Sequence, residues 1–352
     1  MSQLSEIQRH LVAAVLFIAA MATLPYFVSE RYLLGQIIVF MLWASVATQW
    51  NVLTGHAGVF SLGQMLFFSV GSYTVGMAGT YLGTSPWISM PVGAVLSAVA
   101  ALLIGIACLR LASAYVALLT FAIVFMVQAL IVTDPNCFTN NGGVCLPLFG
   151  GGNGFSGFAD FGFRKLLKGD WIVGNYFVIL ASLTLSLFAS IIVIHGRLGL
   201  AFRALNDSQL YAASRGLNRT RFRVTVFVIT AFFTGLSGSV YAAHFRFAGP
   251  SLFEMPTLVL ILAMVIVGGL RSTWGPILGA AAMMVLVEIA KGMGDVRNTA
   301  VGVVLVLFVL LFPKGIAGAA GRTLRMFRAQ RSAERPEIAE RRFDATKTEI
   351  AR

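Results

Sequence analysis

Apolar residues come in runs of roughly 20 along this chain, apolar on all sides, and short polar segments between the runs carry nearly all the charge. A bilayer-crossing helix needs about 20 such residues. A membrane barrel would instead show segments of about ten with strict alternation. The pattern predicts ten spans, at about 10–28, 32–53, 60–81, 87–109, 112–132, 174–194, 224–243, 257–270, 276–290 and 300–313. The fold class is therefore all-α and polytopic. The junction "GGLRSTWGP" reads either as a tight turn or as a break between half-helices. "IAAMAT" in the first run offers the Ala-x-Ala of a cleavage site, but the run continues to Val28, so a retained first membrane helix is expected.

Composition agrees with this reading. Of 352 residues, 58% are hydrophobic and only 11% charged, against about 25% charged in a soluble domain. The net charge of +12 would point to nucleic acid in a soluble protein. Here the basic residues concentrate at Arg197–Arg223 and from Lys314 onward. With the N-terminus inside, 19 of the 26 Lys and Arg fall on inner segments, so the charge follows the positive-inside rule and nucleic acid is set aside. The same bias places both termini and the loop 195–223 in the cytoplasm and the long loop 133–173 outside. Residues 1–321 form the membrane domain and 322–352 a charged tail, either a solvated helix or disordered. The outer loop, with "LFGGGNGFSGFADFGF", is read either as a flexible loop with turn glycines or as part of an external face that receives a partner or solute.

Candidate chemistry is sparse. No Walker A, H-E-x-x-H or G-x-S-x-G motif occurs, and His10, His56, His195 and His244 are scattered. The expectation is a non-enzyme with no metal site. Between Leu33 and Thr133 the only charged residue is Arg110, whereas proton-driven carriers place carboxylates or histidines in the membrane. The energy source is expected outside this chain. Glu288 and Lys291 have the spacing of a local ion pair. Cys108 reads as packing. Cys137 and Cys145 share one loop and can pair if it faces an oxidising compartment.

Polar groups gather in "TQWNVLTGHAGVFSLGQMLFFSVGSYTVG". Gln49, Asn51, Thr54, His56, Ser61, Gln64 and Tyr73 are candidate pathway residues, because a glycine-interrupted helix in lipid must satisfy its backbone inside the protein or in a wet cavity. The alternative is close packing through small residues such as Ser72, Gly76 and Gly79. "VGGLRSTWGPILGA" has a similar texture, which raises an internal repeat.

The one long polar stretch is "GLAFRALNDSQLYAASRGLNRTRFR". Asn206 is the expected N-cap of a short helix, with Gln209 completing a capping box, Leu205 and Leu210 forming a staple, and Gly216 ending it. Asn218 or Thr220 then caps a span starting near Val224. A link between two spans does not require such an element. It reads either as a surface helix held by lipid contacts or as a docking helix.

These residues carry a resemblance. "NVLTGHAGVFSLGQMLFFSVGSYTVG", "GRLGLAFRALNDSQLYAASRGLNRTRFRVTVFVITAFFTGLSGSVYA", "VGGLRSTWGPILGA" and "LLFPKGIAG" cover most of 50–318, and the chain resembles the LivM-type inner-membrane permease of branched-chain amino acid ABC importers. The resemblance implies a second permease, two ABC ATPase subunits that bind ATP and Mg, and a periplasmic binding protein. It implies no cofactor in this chain and a coupling helix on Arg203, Asn206, Asp207, Gln209, Leu210, Ala212, Ala213, Arg215 and Gly216. The outer loop departs from the family's Thr-Gly-Gly-x-x-Gly pattern, so urea or short amides stand beside branched-chain amino acids as expected substrates. An autonomous secondary transporter is the rival from another class.

Overall fold

The structure is a computed structural model. It describes residues 2–292 except 29, 109–112, 135–136, 142–143 and 167–169, and beyond these residues 299, 302–303, 306, 308 and 315–318. The expected span at 300–313 therefore lies mostly outside the described residues, and the tail 322–352 wholly so.

The other nine expected spans coincide with helices. They are α1 (Ser2–Phe27), α2 (Arg31–Asn51), α3 (Gln64–Tyr81), α4 (Pro86–Cys108), α5 (Ser113–Val132), α7 (Trp171–His195), α10 (Arg219–Phe245), α11 (Met255–Gly268) and α12 (Gly275–Ile289). Short α6 (Phe163–Leu166) precedes α7, and α8 (Arg197–Asp207) and α9 (Gln209–Ser214) link α7 to α10. Among the described residues, seven helices are long and apolar enough to cross a membrane. α3 is not one of them, because its polar and small residues dilute its apolarity, and α11, at 14 residues, is short. The count of ten is thus not reached on described residues.

α10 is the central post, packed on α2, α3, α4 and α7. Its contact with α3 is backbone-close: a Cβ on Gly71 would sit 2.0 Å from the Gly235 carbonyl oxygen, and one on Gly238 would sit 1.9 Å from that of Phe68. Serines tie the seam, with Ser72 Oγ donating to the Gly238 carbonyl at 2.8 Å and Ser239 Oγ to that of Gly71 at 3.1 Å. Such small-residue contacts drive helix association in lipid, where burial of apolar surface gives no net gain. α1 is peripheral. It rests on α7, where Tyr176 donates to the Met21 carbonyl at 2.6 Å and Ala14 packs with Leu187, Ile191 and Ile277.

"GGLRSTWGP" is a turn that folds α12 back on α11. Arg271 there adopts φ 68°, and Asn51 holds it from α2. At the opposite end of the bundle the glycine-rich loop folds as a cap, with the expected turn glycines at Gly150, Gly151, Gly154, Gly157 and Gly162 in the left-handed region. β1 (Cys137–Asn141) pairs antiparallel with β2 (Val144–Pro147), and β3 (Phe155–Ser156) pairs with β4 (Phe247–Ala248) just beyond α10. Gly154 has φ 66°, and a Cβ there would lie 2.4 Å from the Ala248 carbonyl oxygen, so the strand contact needs glycine. Arg246 clamps the cap, donating to the Phe158 and Gly157 carbonyls at 2.7 and 2.6 Å. Cys137 is disulfide-bonded, and Cys145 stands on the facing strand opposite Asn140. The side chains of Cys108 and Cys145 lie outside the described residues.

Candidate functional site

Two places hold the candidate functional residues: the helical link between α7 and α10, and the polar seam where α2 gives way to α3.

The link begins at Gly196, whose extended backbone turns the chain out of α7. α8 is amphipathic. Ala201, Phe202 and Leu205 are buried, and Phe202 meets Phe222 of α10 edge-on at 6.4 Å. α8 runs through Asn206 and Asp207, so Asn206 is not the expected N-cap. Ser208 takes that role: its backbone is extended and its hydroxyl accepts from the Tyr211 N–H at 3.4 Å. A serine whose oxygen reaches the third residue ahead needs no longer side chain. The side chains of Asn206, Asp207, Gln209 and Leu210 lie outside the described residues, so the capping box and staple do too.

α9 ends as expected at Gly216. With φ 81°, Gly216 donates to the Ala213 carbonyl at 3.0 Å, and Leu217 donates to that of Ala212 at 3.1 Å. This paired closure is the Schellman motif. Asn218, not Thr220, then caps α10 by accepting from Arg221 N–H at 3.2 Å, and α10 starts at Arg219, five residues before the expected 224. Ala212 is buried, whereas Tyr211 is 63% exposed. The Arg215 guanidinium donates to the Tyr211 hydroxyl at 3.0 Å and lies 5.5 Å from its ring. A groove of about 550 Å³ follows, lined by Leu205, Ala213, Gly216 and Leu217 among others. Arg203 stands exposed on α8. Sequence reasoning passed over Ser208 and Tyr211. The first was legible as a cap residue, and the second as an aromatic four residues before an arginine.

The seam sorts its residues by their partners. α2 passes into a π turn (Val52–His56), and a non-helical stretch, buried in alternation with Phe60 exposed, leads to α3. Gln49 Nε2 donates to the Ser186 carbonyl and hydroxyl at 2.8 Å each. Asn51 Nδ2 donates to the Ser272 carbonyl at 2.9 Å. Thr54 Oγ1 donates to the Val59 carbonyl at 3.4 Å, and His56 Nδ1 lies 3.4 Å from the Asn51 carbonyl. Ser61 offers its carbonyl to Trp50 Nε1 at 2.8 Å and its hydroxyl to Gly63 N–H at 3.2 Å. Thr54, His56 and Ser61 satisfy the irregular backbone inside the bundle, as its surroundings require, while Gln49 ties α2 to α7 and Asn51 ties it to the α11–α12 turn.

Gln64 and Tyr73 differ. Both amide atoms of Gln64 and the hydroxyl of Tyr73 are buried with no hydrogen-bond partner among the described residues, and so is the hydroxyl of Ser69. An unmade hydrogen bond at a buried group costs about 1–3 kcal/mol. Ser69 stands four residues before Tyr73 on one face of α3, and the Tyr73 ring lies 6.1 Å from Phe155 and 6.0 Å from Phe253 of the cap. Ser69 belongs to the same polar stretch in the sequence but was not among the candidate pathway residues, though that spacing was legible. Two histidines distant in sequence also meet: the His10 and His195 rings are 4.5 Å apart, and Trp274 Nε1 donates to His10 at 3.3 Å. Among the described residues no group of three His, Cys, Asp or Glu side chains is placed to hold a metal ion.

Residues 32–312 match the family described as branched-chain amino acid transport system / permease component. The chain is similar to the high-affinity branched-chain amino acid transport system permease protein LivM of Salmonella typhimurium (strain LT2) and to its counterpart of that name in Escherichia coli K12. Each is 28% identical over 323 residues, covering 89% of this chain and 76% of the relative. No solved structure matches.

Proposed function

The chain belongs to the family of branched-chain amino acid transport permeases, and on that premise we propose that it moves branched-chain or other hydrophobic amino acids by alternating access, driven by separate ATPases. It is a multi-pass permease subunit of an ABC importer, and such a subunit works with ATPases and a binding protein in general. The finer reading is ours: a second homologous permease, two ATPases, and a periplasmic binding protein that meets the glycine-rich cap. Residues 1–321 form the permease domain, 322–352 a cytoplasmic tail, and α8, α9 and both termini face the cytoplasm.

One observation carries this reading. α9 is a six-residue helix with its own N-cap and its own Schellman closure, presenting Tyr211 and Arg215 outward between two spans. So short a helix is marginal by itself. Its caps and the buried Ala212 hold it as a rigid knob, the form a cleft in an ATPase can grip. In this mechanism ATP closes the ATPase pair, α9 follows, and the rigid α8–α9 link transmits the movement to α7 and α10. The groups of Gln64, Ser69 and Tyr73 that have no partner among the described residues then face the hydrated route, where water or solute supplies one. Gln49, Asn51, Thr54, His56 and Ser61 hold that route's wall.

Reconstitution tests the reading. Proteoliposomes holding the chain alone should show no uptake of labelled leucine. Those holding the chain with its partner permease, ATPases and ATP should show uptake when the binding protein is supplied. Uptake by the chain alone would make it an autonomous carrier.

A further inference from the structure

Tyr32, Glu288 and Lys291 form a polar cluster at one end of a groove that is apolar apart from Gln36. Lys291 Nζ lies 2.6 Å from Glu288 Oε2 and donates to the Tyr32 hydroxyl at 2.6 Å, and that hydroxyl in turn donates to Glu288 Oε1. Both charged side chains remain 39% exposed. Beyond the cluster, Leu33, Ile37 and Phe40 of α2 and Ala281, Met284 and Val285 of α12 line a groove of about 350 Å³. Their spacings put them on one face of each helix. The groove opens sideways, with Leu33 46% and Val285 59% exposed.

The position of the cluster identifies the occupant. α2 begins at Arg31 and α12 ends at Ile289, so the cluster lies where two spans reach the membrane surface. Leu33 to Phe40 then descend roughly 10 Å along the helix axis into the hydrocarbon. A polar head at the surface and an apolar wall below it match a glycerophospholipid, and a water-borne solute has no access from the lipid side. The head presents a cation and an anion side by side. A zwitterion complements both, whereas an anionic headgroup meets Glu288 as a like charge.

We propose that this groove binds one phospholipid with a primary-ammonium headgroup. Its acyl chain lies along α2 and α12, its phosphate pairs with Lys291, and its ammonium donates to Glu288.

The test uses the full-length chain with the subunits that co-purify with it, delipidated in detergent. It is titrated with dioleoyl phosphatidylethanolamine, phosphatidylcholine and phosphatidylglycerol, and bound lipid is counted by native mass spectrometry. Wild type should prefer the ethanolamine lipid by about tenfold, the size of one lost charge-assisted contact. Glu288→Gln should bind the ethanolamine and choline lipids equally. Ala281→Trp, which fills the groove without touching the cluster, should lose the bound lipid. The proposal fails if Ala281→Trp retains lipid as wild type does, or if the ethanolamine preference survives in Glu288→Gln. It also fails if Ala281→Trp splits the permease pair without changing bound lipid, which would make the groove a protein interface. Should Ala281→Trp not fold, the Glu288→Gln comparison decides alone.

Discussion

The side-chain amide of Asn51, the last residue of α2, accepts the backbone N–H of Arg271 at 3.2 Å and donates to the neighbouring Ser272 carbonyl at 2.9 Å. One amide thus closes a turn 220 residues away in sequence, and that turn holds Arg271 in the left-handed region that non-glycine residues avoid.

Asn51→Ala should therefore lower the thermal stability of the detergent-solubilised protein by about 1–3 kcal/mol, the cost of leaving buried partners unpaired. Asn51→Asp keeps the acceptor for Arg271 and loses the donor to Ser272, so its melting temperature should fall between the two. Equal melting of all three would show that the clamp carries no stability.

The α3–α10 seam admits no added atom. Gly71→Ala places a Cβ 2.0 Å from a backbone oxygen of α10, which cannot yield as a side chain can. It should destabilise by about 1–3 kcal/mol or more, as overpacking does. Gly35→Ala in α2 meets nothing within 4 Å and should be neutral or gain up to about 1 kcal/mol of helix propensity. Folded yield and melting temperature check the contrast.

Gly216→Pro removes the N–H that closes α9 on Ala213, and Arg215→Glu reverses the charge beside the exposed Tyr211. Both should leave membrane insertion intact and lower the ratio of solute imported to ATP hydrolysed in the assembled transporter. Wild-type coupling in both variants would sink the docking role of α9.

Gln49 and Tyr73 should respond in opposite ways. Gln49→Leu strips two hydrogen bonds from the α7 contact at Ser186 and should lower stability by about 1–3 kcal/mol. Tyr73→Phe removes a hydroxyl without a partner among the described residues, so melting should hold while the KM or rate of uptake changes. A stability loss in Tyr73→Phe with unchanged uptake would place Tyr73 in the core instead.

Run length and apolarity made nine helices legible, because a lipid-facing helix must be apolar over the thickness it crosses. Gly216 and Asn218 were legible as caps, because a left-handed closure and a side-chain acceptor are local demands. The N-cap of α9 was displaced from Asn206 to Ser208, because burial of Ala201, Phe202 and Leu205, with Phe202 on Phe222 of α10, extends α8 two residues further than capping preference indicates. The order within the glycine-rich loop was illegible, since it depends on β4 and Arg246, some 90 residues downstream.

The sequence by itself determined the class, the spans and the polar link, since each follows from short-range patterns of apolarity, charge and capping. Only the tertiary structure decided which buried polar groups are cross-links and which have no partner among the described residues. Gln49 and Gln64 are the same residue type in the same stretch. One meets Ser186 and the other meets no partner among the described residues, because hydrogen-bond satisfaction depends on chain segments brought together from far apart.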